Sequence, residues 1–171
     1  MKYTTALISD DLWPQITDFA CEYVQLYDYL VDPAKALADK ETGKALTYVV
    51  KETASNRVYA YFSIECSCFR TKESNDNGPY RPAIEITKMA VDSRFQRQGV
   101  GKYTLSLAID FIKELRSIMP VDAILVFALA NVTNFYSKLN FKQCYDIIEA
   151  RSRYKWVDCV LMYYLLEKLI D

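Results

Sequence analysis

The chain has 171 residues, 51% of them apolar, which is one domain's worth of sequence and enough to bury a full core without disulfide or metal staples. Lys and Arg number 21 against 22 Asp and Glu, and the formal net charge of -1 gives no general pull toward nucleic acid or anionic membrane. Histidine is absent, which removes the usual general base, the usual zinc ligand and every Ser-His or Cys-His pair, so no metal is expected and any catalysis must use Tyr, carboxylates, Lys, Cys or backbone dipoles.

In chain order, YTTALI reads as a first strand, and Ser9-Asp10-Asp11 caps a helical pattern through LWPQITDFACEYVQLYDYL, after which Pro33 starts a second short helix. This N-terminal region is acidic: Asp10, Asp11, Asp18, Glu22, Asp28, Asp32, Asp39 and Glu41 face only Lys35 and Lys40. A solvated helix face explains that run, and so does a surface for a cationic acceptor. LTYVV is a strand, and RVYAYFSIECSCF alternates with Val58, Ala60, Phe62, Ile64, Cys66 and Cys68 on one face, making the two thiols the end of a core stripe rather than a redox pair. TKESNDNGPYRP is a loop. AIEITKMAV is a strand, and a helix runs from Lys102 to the residue before Pro120 with Leu105, Ala108, Ile109, Ile112 and Leu115 as its buried stripe. DAILVFAL is a buried strand, ANVTNFYSKLN a short helix, and FKQCYDIIEA and DCVLMYYLL are closing strands.

No Ser/Gly/Pro-rich linker or internal repeat interrupts this order, so residues 1–171 read as a single α/β domain with a mixed, mostly antiparallel sheet flanked by helices. The five cysteines (Cys21, Cys66, Cys68, Cys144 and Cys159) form an odd set with no C-x-x-C pair, as expected of reduced thiols in a cytoplasmic protein. MKYTTALISDDLW lacks the features of a signal peptide, and no stretch reaches the length that spans a bilayer.

The most informative stretch is Gln96-Arg97-Gln98-Gly99-Val100-Gly101, between a strand and a helix. Glycine lets the backbone approach a ligand, and amide groups at a helix start form a nest for phosphate oxygens. Arg94, Arg97 and Lys102 add positive charge around the turn. The dinucleotide fingerprint is not met, because its third glycine and preceding βαβ pattern are missing, and the Walker pattern fails because no Gly-Lys-Ser/Thr follows.

Gln96, Gly99 and Gly101 match the acyl-CoA loop Gln/Arg-x-x-Gly-x-Gly/Ala, and Asn131, Phe135, Tyr136, Lys138 and Phe141 stand where a second motif has Asn, then Phe/Leu-Tyr-x-Lys-x-Gly-Phe. With these two motifs the sequence resembles the GNAT-type N-acetyltransferase superfamily from about Leu46 to the C-terminus. Asn140 replaces the usual glycine, and Asn tolerates the left-handed backbone that ends a helix.

The resemblance implies acetyl-CoA as acyl donor. Its pyrophosphate would lie over Gln96, Arg97, Gln98, Gly99, Val100, Gly101 and Lys102, with Met89, Ala90 and Val91 offering backbone to the thioester and pantetheine, and Asn131, Phe135 and Lys138 completing the cofactor side. Tyr136 resembles the family's general acid for the departing thiolate; the alternative is a tyrosine in an ordinary apolar stripe with Val132, Phe135 and Leu139. Glu85 stands where some relatives, including histone acetyltransferases, carry a general base acting through water, or it is a structural sheet glutamate. Glu65 on the neighbouring strand is a further candidate. The acceptor is expected to be a primary amine of a small molecule or protein. The segment from Thr47 to Phe141 also resembles the GNAT toxins, which acetylate the amino acid on charged tRNA, although those are usually basic. RSRYK at 151–155 is either an RNA contact or a basic turn. A catalytically silent CoA-binding module and a homodimer complete the alternatives.

Overall fold

The computed structural model describes residues 3–71, 79–144, 147–150 and 159–166. The fold is α/β, with a mostly antiparallel sheet flanked by helices. Its strands are β1 (Tyr3–Leu7), β2 (Leu46–Glu52), β3 (Val58–Thr71), β4 (Arg81–Val91), β5 (Ala123–Leu129), β6 (Lys142–Gln143), β7 (Ile147–Ala150) and β8 (Cys159–Leu165). The helices are α1 (Trp13–Ile16), α2 (Val24–Val31), α3 (Ala36–Glu41), α4 (Val100–Leu115) and α5 (Thr133–Ser137).

The chain forms two compact units, residues 1–65 with 87–107 and residues 66–86 with 108–171. In the first, the strand order is β1-β2-β3-β4, and β1–β2 and β2–β3 pair antiparallel. Its core joins Ile8, Leu12, Ile16 and Phe19 to Tyr29 and Leu30 of α2, Val49 of β2, Tyr61 of β3 and Ala90 of β4. In the second, the order is β4-β5-β8-β6, with β7 on β3. There β4 and β5 run parallel from Ala83↔Ala123 to Glu85↔Leu125, and β5–β8 is antiparallel.

The expected first helix is broken. A 3₁₀ turn (Asp10–Leu12) and α1 end at Ile16, and α2 begins only at Val24. The reason is tertiary: the Ala20 N–H donates to the Asp92 carboxylate at 3.0 Å, and the Ala20 carbonyl accepts from the Ser93 N–H at 2.9 Å, taking main-chain groups a helix would need. Pro33 lies in a turn, where Asp32 Oδ1 accepts the Ala34 N–H at 3.0 Å, and α3 starts at Ala36. The strand β3 is buried on both faces from Val58 to Glu65, while Cys66 is exposed, so the core stripe stops before the thiols.

Arg81 and Pro82, placed in a loop by sequence, open β4; residues 72–78 lie outside the described residues. The helix α4 starts at Val100, two residues earlier than expected, and ends at Leu115, whose carbonyl accepts from both Ile118 and Met119 N–H in a closing turn. FKQCYDIIEA is two strands with different partners, β6 on β8 and β7 on β3.

Candidate functional site

The glycine loop belongs to the first unit and is built on Asp92. That carboxylate is fully buried and accepts the Arg94 N–H at 2.9 Å, capping a 3₁₀ turn at Ser93–Phe95, as well as the Ala20 N–H. Burial alone would raise its pKa, but the hydrogen bonds from Arg94 and Ala20 and the Arg94 charge outweigh it and hold the carboxyl below its usual range. The Arg94 guanidinium reaches Asp92 Oδ2 at 2.6 Å and Asp18 Oδ2 at 3.2 Å, and also donates to the Asp18 carbonyl. Its charge is therefore matched inside the protein, and Arg94 is not the phosphate-directed cation that the sequence suggested.

Beyond this anchor the Phe95 ring stacks on Tyr59, centroids 3.8 Å apart and planes 6° apart, in a cluster with Val50, Ala60, Val91 and Val100. Gln96 Nε2 donates to the Val91 carbonyl at 3.2 Å and Gln98 Nε2 to the Arg94 carbonyl at 3.1 Å, so both glutamines shape the loop. Arg97 and Gly99 take left-handed backbone, φ 60° and 85°. A Cβ at Gly99 would meet no heavy atom within 4 Å, so conformation rather than space calls for glycine there. Gly101 sits in the first turn of α4. Helix geometry leaves the N–H groups of Val100, Gly101 and Lys102 without intrahelical carbonyls, Tyr103 being the first to bond back, to Gly99 at 3.0 Å. Gln96, Arg97, Gln98, Gly99 and Lys102 are exposed, so the turn presents amides and two cationic side chains outward.

Before the loop, Ala90 packs in the N-terminal core and Val91 against the Tyr59 cluster, with Met89 half-buried between them. What these residues can offer a ligand is main chain. Glu85 is buried in the second unit, in register with Leu125. Glu65 is buried in the first.

The second motif lies wholly in the second unit. Asn131 is exposed in a 3₁₀ turn at Ala130–Val132, and Tyr136 is buried in α5 between the ring edges of Phe135 (5.1 Å, 76°) and Phe141 (5.6 Å, 69°). Asn140 has φ 66°; its N–H bonds to Ser137 O and that of Phe141 to Tyr136 O, the pattern in which a left-handed residue closes a helix. The asparagine thus performs the turn expected of it, and Phe141 is buried as the anchor. Burial, with a smaller contribution from Cys159, pushes the Tyr136 phenol well above its ordinary pKa. The side chain holds its proton throughout the physiological range. Phe135 is half-buried, and Lys138 is exposed at the end of α5.

Half of the acidic N-terminal run is matched by cations: Asp18 by Arg94 and Arg57, Asp28 and Asp32 by Lys35, and Asp39 by Lys44 at 2.9 Å. Sequence reasoning missed the Asp92 anchor, although Asp-Ser-Arg before a turn is a capping signal. It also missed a polar group around Tyr29, whose hydroxyl lies 3.1 Å from Asp39 Oδ2, 3.3 Å from Thr47 Oγ1 and 3.2 Å from Ser63 Oγ. No signal of spacing marks that group. RSRYK at 151–155 lies outside the described residues. Among the described residues no helix is long and apolar enough to cross a membrane, and no group of three or more Cys, Asp or Glu could hold a metal ion.

No protein-family model matches the sequence, and no curated protein does. Solved structures do match in fold. The KacTA–DNA complex aligns over 96% of this chain and 93% of its own, with TM-score 0.74 and 21% identity. AtaT complexed with acetyl-methionyl-tRNAfMet aligns over 94% of each chain, with TM-score 0.74 and 17% identity. AtaTR bound with acetyl-CoA aligns over 95% of this chain and 93% of its own, again with TM-score 0.74 and 17% identity. The chain has the fold that these proteins share.

Proposed function

We propose that the chain is an acetyl-CoA-dependent N-acetyltransferase, one domain over residues 1–171 acting in the cytoplasm on a primary amine by direct attack in a ternary complex. The observation that carries this reading is the pair of motifs, each in a matching local structure: the amide-presenting turn Gln96–Gly101 before α4, and Tyr136 on α5 closed by Asn140 and Phe141. The structural likeness to AtaTR bound with acetyl-CoA supports the donor.

In this reading the turn binds the pyrophosphate, assisted by Arg97 and Lys102, and the main chain of Met89 and Val91 receives the thioester carbonyl and pantetheine. Gln96 and Gln98 keep the turn in shape. The neutral amine attacks the thioester carbonyl, a C–N bond forms, and the collapse of the oxyanion breaks the C–S bond. Tyr136 gives its proton to the departing thiolate, and Glu85 takes the proton the amine loses. Asn131, Phe135 and Lys138 flank Tyr136 and contribute to the donor side.

A second reading concerns the acceptor. The likeness to AtaT carrying acetyl-methionyl-tRNAfMet favours the α-amine of an aminoacyl-tRNA, with the chain acting as a toxin and an antitoxin as its partner. The balanced net charge of -1 supplies little general attraction to tRNA and weighs on the other side. One experiment addresses both readings: wild type and Tyr136→Phe are assayed for acetyl transfer to polyamines, amino acids, peptides and charged tRNA, and each is induced in growing cells. Transfer to charged tRNA with growth arrest by the wild type alone supports the toxin. Transfer to a small amine without arrest supports a metabolic acetyltransferase, and acetyl-CoA binding with no transfer to any of them removes the enzyme reading.

A further inference from the structure

The first unit contains a concentration of buried polar groups with no part in the donor loop. The cross-strand pair Thr47↔Ser63 and the next pair on the same face, Val49↔Tyr61, lie under α2, and period-2 alternation continues that face of β3 to Glu65. Thr47, Ser63 and Tyr29 are buried and bonded to one another, with Asp39 closing the network from α3. From β4, the buried Lys88 places its ammonium 4.0 Å from the Tyr29 ring centroid. Glu65 is only 6% exposed, and its Oε1 has no hydrogen-bond partner among the described residues.

A buried carboxylate oxygen without a donor is costly, and native proteins rarely keep one without a use. The hydroxyls of Tyr29, Thr47 and Ser63 bond to one another, no described residue donates to Glu65 Oε1, and a cationic N–H from a ligand would meet that demand best. Lys88 on the same face sets a limit: a ligand carrying a second positive charge meets repulsion.

We propose that Glu65 is the anchoring group of an acceptor subsite that receives one primary ammonium on an otherwise uncharged molecule. This rests on the acetyltransferase reading for its purpose, since the ammonium would be the acceptor's before it gives up its proton. It does not rest on that reading for its test, which is a binding measurement.

The probes are norleucine amide, with one ammonium; hexanamide, the same molecule without it; and lysine amide, with two. Titrated by NMR into the full chain, the wild type binds norleucine amide about tenfold or more tightly than hexanamide, and more tightly than lysine amide, a tenfold preference being about 1.4 kcal/mol. Glu65→Gln keeps the shape and loses the charge, and its preference for norleucine amide over hexanamide falls to nearly one, while Glu65→Asp retains most of it and acetyl-CoA affinity is unchanged in both. An unaltered preference in Glu65→Gln, or no saturable binding of either neutral or ammonium probe by the wild type, overturns the subsite. Failure of the wild type to acetylate any amine would overturn the enzyme reading instead, and the probe preference would still decide the role of Glu65.

Discussion

Tyr136 is a packing residue in the structure and the general acid of the proposed reaction. Its ring is held edge-on by Phe135 and Phe141, and its carbonyl accepts from the Leu139 and Phe141 N–H groups, so both its ring and its main chain are fixed. A phenol raised by burial keeps its proton through the physiological range, and in the proposed reaction the departing thiolate takes that proton. Tyr136→Phe keeps the ring contacts and is expected to lower kcat by ~10²-fold or more with acetyl-CoA affinity unchanged, as measured by steady-state kinetics and calorimetry. Wild-type kcat in this variant would return the residue to the packing role that its apolar neighbours also suggested. Arg94 teaches the opposite lesson: a cation beside a glycine loop looked like a phosphate ligand, but Asp18 and Asp92 engage it.

At the scale of elements, the two ends of the motif segments are governed by backbone conformation. Asn140 sits at φ 66°, where a Cβ costs energy that Asn partly escapes and a β-branched residue does not. Asn140→Gly is therefore expected to leave stability unchanged or raise it by about 0.5 kcal/mol, and Asn140→Val to lower it by about 1–2 kcal/mol, read from urea unfolding midpoints. The turn before α4 has the same dependence at Gly99, with open space around the missing Cβ. Gly99→Val should therefore cost about 1–2 kcal/mol through conformation and, by reshaping the amide-presenting turn, weaken acetyl-CoA binding about tenfold or more in calorimetry. Retained affinity in that variant would show that the donor does not use this turn. The broken N-terminal helix belongs to this scale as well, because Asp92 and Ser93 bind the main chain of Ala20.

For the whole molecule, the buried ionisable groups define a window of stability. On the alkaline side, burial pushes Tyr29 up to about 12 and Tyr61 and Tyr136 well above the ordinary value. Their raised folded values mean that the contribution is complete below the unfolded pKa of ~10 and is lost as pH rises through the folded values, because the unfolded chain releases its protons first. Unfolding midpoints should fall above about pH 10, with a late-titrating set of phenolates in the absorbance spectrum. On the acid side the sign reverses: Asp92 is held low, so its contribution is present above the unfolded value of ~3.9 and disappears as pH falls through the folded one. Asp92→Asn should cost about 1.5 kcal/mol near neutrality, the half-exposed Arg94 screening part of the pair, and the difference from wild type should vanish in acid.

The sequence by itself determined the α/β class, the order of most elements, the buried stripe of α4, the two motif segments and the left-handed role of Asn140, because each rests on local periodicity or local backbone chemistry. Only the tertiary structure decided which charges are matched within the protein, where the N-terminal helix breaks, that one closing segment serves two strands, and that Tyr29, Thr47, Ser63 and Lys88 come together in the first unit. These outcomes depend on residues tens of positions apart competing for the same hydrogen bonds and the same buried volume, and no pattern along the chain records that competition.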